Sequence, residues 1–424
     1  MSSALIKLVG TDLFCSIEGG PEAGFAIDEA TQKLCAWSKR YDEASRHDRE
    51  GELSAIGSEM FAWLDSTNGW ATAWTEGPLD RALEIEVTGA GTPAEIALLD
   101  APWELLSRPS GPLALDDVRL FIVARRIGSR GTPLPPRHAD FQLMFMAAAP
   151  IGQRELDFEA EEAGILRATE RLPIRLVVEE SGALEFLSPR LAEEGPFEAL
   201  HLSCHGEIDA QMGPVLLLEG SAGESLKAGV MQLSQALGAD RPPLVMLSAC
   251  RTAEFGSPGL GALPGQREGG APTREGGAAP RAAELATPFA RKLATILPNV
   301  VGWDGSVYDV DATEFATQLY KELAARSPVP RAAAVARRAL LLKKGQSQKS
   351  GRHWHLARIY LGPGGGGRSA AAPSAATGTR DRLRRPSSIR RSSACRSRRA
   401  RNSSGAGARS KRCCGPSAKE KPAR

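Results

Sequence analysis

The chain has 424 residues, of which 42% are hydrophobic, so it is long enough for one large domain or two to three smaller ones with a buried core. Its formal net charge of +3 is uneven: residues 363–424 contain 17 Lys and Arg against 2 Asp and Glu, whereas residues 1–362 contain 36 basic and 48 acidic residues. The seven cysteines lack the spacing of a zinc site or a disulfide framework, which favours a reducing cytoplasm. No run reaches the roughly 18 apolar residues of a membrane span.

Predicted helices and strands follow one another from residue 5 to about residue 128. The spacing of Leu53, Ile56, Met60 and Leu64 predicts a helix over 52–64. Strands are predicted at 82–88, 97–99 and 120–124. The segment DAPWELL (100–106) carries a turn-and-helix signal, in which Glu104 is expected to pack or cap rather than catalyse. The Pro-rich segment 131–137 indicates a linker.

Residues 141–362 alternate apolar strands with helices. Strands are predicted at 143–150, 174–180, 198–207, 215–220, 243–250, 299–303 and 354–362. Helices are predicted at 155–171, 182–194, 230–237, 284–296, 312–325 and 331–342. This alternation predicts an α/β fold with a mostly parallel sheet covered by helices on both faces.

Two segments have compositions that do not support a packed core. Residues 254–283 are rich in Gly, Pro and Ala, so we expect a flexible loop that is either a tolerated insertion or an exposed site of activating cleavage. Residues 363–424 are rich in Arg, Ser, Ala and Gly, which predicts a disordered basic tail. Such a tail favours at most nonspecific binding of nucleic acid, because it lacks the aromatic residues of a single-strand binder.

Two polar motifs lie where predicted core strands end. One is HLSCHGE (201–207), which contains His205, and the other is LSACRT (247–252), which contains Cys250. Open α/β sheets bind their ligands at the carboxyl ends of the strands, so we expect the two motifs to form a site. Among the neighbouring residues, Cys204 is expected to face the opposite side of its strand, and His201 is expected to pack in the core.

A cysteine and a histidine in this arrangement favour nucleophilic catalysis. A free thiol is only a few per cent thiolate at neutral pH, and a nearby imidazole increases that fraction. A sharp turn after the strand would expose the Cys250 sulfur and direct backbone N–H groups at a developing oxyanion. Gly206 has no side chain, so its N–H can approach that oxyanion closely.

Several segments, taken in order, resemble the CHAT family, whose domains are caspase-like and related to separase. The segments are LLDAPWELL (98–106), LFIVARRI (120–127), HLSCHGE (201–207), LVMLSACRTA (244–253), VVGWDGSVYDVDATEFATQLYKEL (300–323) and WHLARIYLG (354–362). The resemblance covers roughly residues 80–362, and LSACRTA is also similar to the caspase signature, whose histidine lies about 50 residues upstream.

The resemblance implies a role for each part of the chain. Residues 1–135 would form a non-catalytic caspase-like half and residues 136–362 the catalytic half of an α/β fold with a mostly parallel sheet flanked by helices. His205 would be the general base and Cys250 the nucleophile. The backbone N–H groups of Gly206 and Cys250 would form the oxyanion hole.

The implied activity is that of a cysteine endopeptidase that cleaves a protein substrate in bacterial signalling or defence. Family members cleave after a residue held in a charged or polar pocket. Asp304 and Asp309 are the candidate acids of that pocket, and they would suit Arg or Lys at the cleavage position. The motifs imply no metal and no cofactor.

The main alternative is a latent or inactive caspase-like interaction module that needs an activating protein partner. A cysteine at the end of an apolar strand is more often a core residue than a nucleophile. The presence of both His205 and Cys250 favours an enzyme. His353 and His355 are expected to be structural.

Overall fold

The computed structural model describes residues 1–89, 91–154, 156–249, 288–347 and 350–368. Cys250, the predicted loop at 254–283 and most of the predicted tail lie outside the described residues.

The described secondary structure begins with strands and then alternates helices with strands. The helices are α1 (Ile27–Arg46), α2 (Glu50–Asp65), α3 (Trp70–Thr75), α4 (Pro93–Asp100), α5 (Phe158–Thr169), α6 (Leu184–Glu194), α7 (Val230–Leu237), α8 (Phe289–Ala294), α9 (Asp309–Ala324) and α10 (Val329–Lys343). The strands are β1 (Ser2–Val9), β2 (Asp12–Ile17), β3 (Glu22–Ala26), β4 (Arg81–Val87), β5 (Ser107–Arg108), β6 (Gly111–Pro112), β7 (Phe121–Ile127), β8 (Phe141–Ala147), β9 (Ile174–Glu179), β10 (Ala199–Ser203), β11 (His205–Asp209), β12 (Gly213–Glu219), β13 (Ser225–Ala228), β14 (Leu244–Ser248), β15 (Asn299–Trp303) and β16 (Ala357–Leu361).

An 11-stranded sheet, in the order β3-β2-β1-β4-β7-β16-β15-β14-β10-β8-β9, organises the fold. Strands β1, β4 and β7 are parallel to one another, and so are β9, β8, β10, β14 and β15. Strand β16 runs antiparallel to β15 and parallel to β7, so it joins the two parallel blocks. The predicted α/β fold, a mostly parallel sheet flanked by helices, is confirmed.

The two predicted halves each supply one block of this sheet. Residues 1–135 supply β1 to β4 and β7, and residues 136–362 supply the remaining strands of the sheet. Both blocks share one hydrophobic core, and the described residues belong to a single compact unit. The hairpin strands β1 to β3 and the long helix α1 had no counterpart among the predicted elements.

The predicted strand at 97–99 is wrong, because these residues lie in α4. Thr92 and Glu95 form a reciprocal capping box in which the Thr92 hydroxyl accepts from the Glu95 N–H at 3.2 Å, and Pro93 occupies the first turn. An apolar run of three residues is too short for its periodicity to distinguish a strand from a helix. The capping box at Thr92 and Glu95 starts a helix here and so determines the secondary structure of the run. Burial would raise the pKa of Glu95, but backbone N–H and hydroxyl donors lower it to about 2.

The predicted strand at 198–207 is in fact two strands in different sheets. Strand β10 ends at Ser203, and β11 starts at His205 and pairs with β12 in a separate three-stranded sheet of order β11-β12-β13. The Cys204 N–H donates to the Ser248 carbonyl at 3.3 Å, and the chain then leaves the large sheet. His205 is therefore the first residue of a strand in a second sheet.

The folded chain continues past Gly362, where the tail is predicted to begin. The Gly364 carbonyl accepts from the Leu134 N–H at 3.0 Å, and the Gly366 N–H donates to the Asn299 side chain at 2.8 Å. Gly365 lies so close to the Pro298 carbonyl that a Cβ atom there would be 1.9 Å from its oxygen. The six residues 363–368 thus pack on the body.

Within the described part of the chain, no helix is both long enough and apolar enough to cross a membrane.

Candidate active site

The two motifs come together because β10 and β14 are neighbouring parallel strands. Their register pairs Leu202 with Leu247 and Ser203 with Ser248. His205 follows Ser203 by two residues, and Cys250 follows Ser248 by two residues. Neighbouring strands lie about 4.8 Å apart, so the described strand residues of the two motifs, 201–203 and 247–248, lie side by side at the same edge of the sheet.

His205 has a defined hydrogen-bond partner on one ring nitrogen. It is partly exposed, and its Nε2 lies 2.6 Å from the Arg154 carbonyl oxygen. A carbonyl can only accept a hydrogen bond, so Nε2 must carry the hydrogen. Nδ1 is then the ring nitrogen that can accept a proton from another group.

Gly206 is the second residue of β11 and lies opposite Leu216 of β12. Its neighbour His205 lies opposite Leu217. This antiparallel pairing holds the backbone of His205 and of the residues after it in a regular strand. The Cys250 N–H, the second predicted oxyanion donor, lies outside the described residues.

A buried carboxylate that the sequence analysis missed lies beneath the two motifs. Glu161 of α5 is 4% exposed. Its Oε2 accepts from the Ser203 hydroxyl at 2.8 Å and its Oε1 from the Ser248 hydroxyl at 2.9 Å. Burial would raise the pKa of Glu161, but the nearby His201 and the two hydroxyls lower it below its usual value.

His201 packs in the core, as expected, and takes part in the same cluster. Its ring stacks on Phe145 with 4.8 Å between centroids, and its Nδ1 lies 3.1 Å from the Tyr320 hydroxyl. Its Nε2 lies 3.3 Å from Glu161 Oε1. Burial and the nearby Glu161 carboxylate raise the pKa of Tyr320 well above its usual value, so the phenol keeps its hydrogen.

The two predicted pocket acids lie beyond the end of β15, which is the strand next to β14. Asp304 is 7% exposed and forms a buried ion pair with Arg358 of β16. Its charge is therefore balanced within the fold. Asp309 is the first residue of α9 and is partly exposed.

Among the described residues, no group of three His, Cys, Asp or Glu side chains is placed to hold a metal ion. Cys204 is 2% exposed and lies in the core between β10 and β11.

A mostly parallel sheet flanked by helices, in which β10 and β14 are neighbouring strands, defines an α/β protein. The family model of the CHAT domain matches residues 92–363, and the chain belongs to this family. No curated protein matches the chain at a significant level.

Solved structures with similar folds are distant. The Arg-specific cysteine proteinase gingipain R is 9% identical, with 68% of this chain and 64% of that chain covered and a TM-score of 0.39. Caspase-1 from Spodoptera frugiperda is 11% identical, with 56% of this chain and 99% of that chain covered and a TM-score of 0.31. The separase of the Saccharomyces cerevisiae separase–securin complex is 11% identical, with 85% of this chain and 30% of that chain covered and a TM-score of 0.40. Similarities this distant do not assign an activity.

Proposed function

We propose that the chain is a cysteine endopeptidase with Cys250 as nucleophile and His205 as general base. The observation that supports this most is the register of β10 and β14, which pairs Ser203 with Ser248. In the sequence, His205 and Cys250 each follow one of these two serines by two residues. Membership of the CHAT family agrees with this assignment.

The hydrogen bond of His205 suggests which nitrogen acts. With its Nε2–H donated to the Arg154 carbonyl, the imidazole accepts the thiol proton of Cys250 at Nδ1. The thiolate then attacks the scissile carbonyl carbon, and the carbonyl oxygen becomes an oxyanion. Backbone N–H groups of Gly206 and Cys250 are proposed to stabilise it.

Collapse of the intermediate breaks the C–N bond. The proton held on His205 passes to the departing amine, and a thioester on Cys250 remains. Water then attacks the thioester carbonyl while His205 accepts a proton from it. That proton returns to the Cys250 sulfur as the acid product leaves, which restores the resting enzyme.

The substrate is proposed to be a protein cleaved after Arg or Lys. Asp304 is ion-paired with Arg358 inside the fold, so the partly exposed Asp309 is the better candidate for contacting a basic side chain. We expect Asp309→Asn to reduce the preference for Arg or Lys in a peptide library. Unchanged preference in that variant would remove Asp309 from the proposal.

The test compares the unaltered protein with Cys250→Ala and His205→Ala on a diverse peptide mixture, with cleavage mapped by mass spectrometry. Cys204→Ala is the matched control, because it removes a buried thiol next to His205 without touching the proposed pair. Cuts made by the unaltered protein and by Cys204→Ala, but by neither other variant, are expected. Equal cleavage patterns in all four would refute the proposal and favour a latent module that needs an activating partner.

A further inference from the structure

Glu161 connects the two strands that lead to the proposed catalytic pair. Its two carboxylate oxygens are shared between the strands: Oε2 accepts from Ser203 at the end of β10, and Oε1 accepts from Ser248 at the end of β14. The two serines are direct partners in the sheet register. One side chain therefore clamps both strand ends two residues before His205 and Cys250.

The segment that carries Glu161 also holds His205 directly. The Arg154 carbonyl accepts from the His205 ring at 2.6 Å, and Glu161 lies seven residues further along, in α5. The chain from residue 154 to residue 161 thus contacts the site both at the imidazole and beneath the strands.

The clamp is anchored to the core. Gly164, one turn after Glu161, packs so closely on α9 that a Cβ there would lie 2.6 Å from the Thr317 hydroxyl. His201 lies 3.3 Å from Glu161 on one side and 3.1 Å from the Tyr320 hydroxyl of α9 on the other. The carboxylate is therefore held in place by contacts independent of the two serines.

Hydrogen bonds from hydroxyls to an ionised carboxylate are short and about twice as strong as neutral ones. Ser203 is 4% exposed and Ser248 is 8% exposed, so water cannot readily replace Glu161 as their acceptor. Without the carboxylate, the Ser203 and Ser248 hydroxyls would lack their acceptor at the ends of β10 and β14. The spacing of these two strand ends bears on the distance between His205 and Cys250.

We propose that Glu161 is a positioning residue that sets the distance between His205 and Cys250 by tying the ends of β10 and β14 together. This inference rests on the proposed Cys–His pair. It assigns no contact between Glu161 and the substrate.

The test uses Glu161→Gln in the full chain. The amide keeps one oxygen acceptor and replaces the other with an N–H donor, so one serine hydroxyl can no longer donate to this side chain and the charge-assisted hydrogen bonds are lost. Glu198→Gln is the matched control. Glu198 is 1% exposed and accepts from His138 and the Gln142 N–H, and it lies just before β10 at the opposite edge of the same sheet.

The readout is the rate at which iodoacetamide alkylates Cys250, measured from pH 5 to pH 9 and mapped by mass spectrometry. His205→Ala defines the profile of a thiol without its imidazole. For every pH unit by which the midpoint of the profile moves upward, the alkylation rate at a pH below that midpoint falls about tenfold. We expect Glu161→Gln to move the profile toward that of His205→Ala, with a rate about 10- to 100-fold lower at pH 6. Glu198→Gln should follow the unaltered protein.

A structural role alone predicts a different result. Thermal unfolding would then be affected in Glu161→Gln and Glu198→Gln alike, while both alkylation profiles stay unchanged, and this outcome overturns the proposal. If Glu161→Gln does not fold, Ser248→Ala removes one hydrogen bond and leaves the carboxylate in place. It should show a smaller shift in the same direction, and no shift there also overturns the proposal.

The peptidase assay separates this inference from the proposed function. A shifted profile in both Glu161→Gln and His205→Ala without any peptide cleavage supports the positioning role and refutes the peptidase. A shift in His205→Ala alone refutes the positioning role and leaves the Cys–His pair intact. No shift in either variant refutes both.

Discussion

Glu104 is the centre of a buried ionic cluster whose stability contribution can be worked out from its contacts. It is 1% exposed, and its two oxygens accept from Arg125 at 2.6 and 2.9 Å. Arg337 of α10 lies 3.6 Å away. Arg125 is fully buried and donates to the Leu99 and Ala101 carbonyls as well. Glu104→Gln would therefore leave buried guanidinium charge without its counterion.

Loss of Glu104 from this ion pair is expected to destabilise the fold. Removing one partner of a buried ion pair costs about 3–5 kcal/mol. Burial would raise the pKa of Glu104, but Arg125 and Arg337 lower it from its ordinary 4.5 to about 2. That difference corresponds to about 3 kcal/mol of folding free energy at neutral pH. We expect Glu104→Gln to lose about 3 kcal/mol in the free energy of unfolding at pH 7.

The pH dependence has a definite sign. A carboxylate whose pKa is depressed in the folded state contributes its full stability above the unfolded pKa and loses it as the pH falls toward the folded pKa. The difference between the unaltered protein and Glu104→Gln should therefore be constant from pH 7 to about pH 5.5. It should then shrink by about 1 kcal/mol on reaching pH 3.5.

Urea unfolding of the two proteins at these pH values provides the measurement. Glu43→Gln is the control, because the Glu43 side chain is 61% exposed. The exposed ion pair of Glu43 with Arg49 is expected to contribute at most about 1 kcal/mol to the free energy of unfolding. A loss below about 1 kcal/mol for Glu104→Gln at pH 7, or a difference that does not change down to pH 3.5, would refute the reasoning.

Two further predictions concern packing and acid sensitivity. Gly57→Ala in α2 should destabilise the fold by about 2–3 kcal/mol, because a Cβ there would lie 1.9 Å from the Leu105 carbonyl oxygen. Gly51→Ala in the same helix meets nothing within 4 Å and should stabilise by about 0.5–1 kcal/mol; equal effects of both in urea unfolding would contradict this. His355 is buried against Tyr41, and burial first, with His353 second, lowers its pKa from 6.5 to about 3. At pH 5 the His355 imidazole is therefore protonated in the unfolded chain and neutral in the folded chain. The free energy of unfolding falls for this reason by about 2 kcal/mol from pH 7 to pH 5. A His355→Gln variant should lack that part of the decline, and parallel curves for the two proteins would count against it.

The strands and helices of the second half were largely predictable because their patterns are strong. The segment 299–303 and the segment 230–237 match β15 and α7 at both ends. Apolar runs of five residues flanked by turn residues suit buried parallel strands, and helical spacing separates the covering helices from them. Prediction failed where the pattern was short, as at 97–99, where a capping box overrides an apolar triplet.

Part of the site was also predictable from local sequence. His205 and Cys250 follow apolar strands, and such positions fall at one edge of a parallel sheet whatever the order of the strands. The pairing of Ser203 with Ser248 could not be predicted from local sequence, because it depends on the strand order that makes β10 and β14 neighbours.

The partners of the charged residues depended entirely on tertiary structure. Helix α5 carries Glu159, Glu161 and Glu162, and no sequence pattern separates them, yet Glu161 is buried beneath the site while Glu159 is exposed. Asp304 likewise had no local sign of its pairing with Arg358, which lies 54 residues away.

The sequence by itself determined the class of fold and the positions of the two motifs, because periodicity and strand termini are local properties of the chain. The tertiary structure alone decided which carboxylate supports the site and which acid is neutralised inside the fold. A buried charge is tolerated only where distant donors or counterions surround it, and those meet when the sheet is assembled.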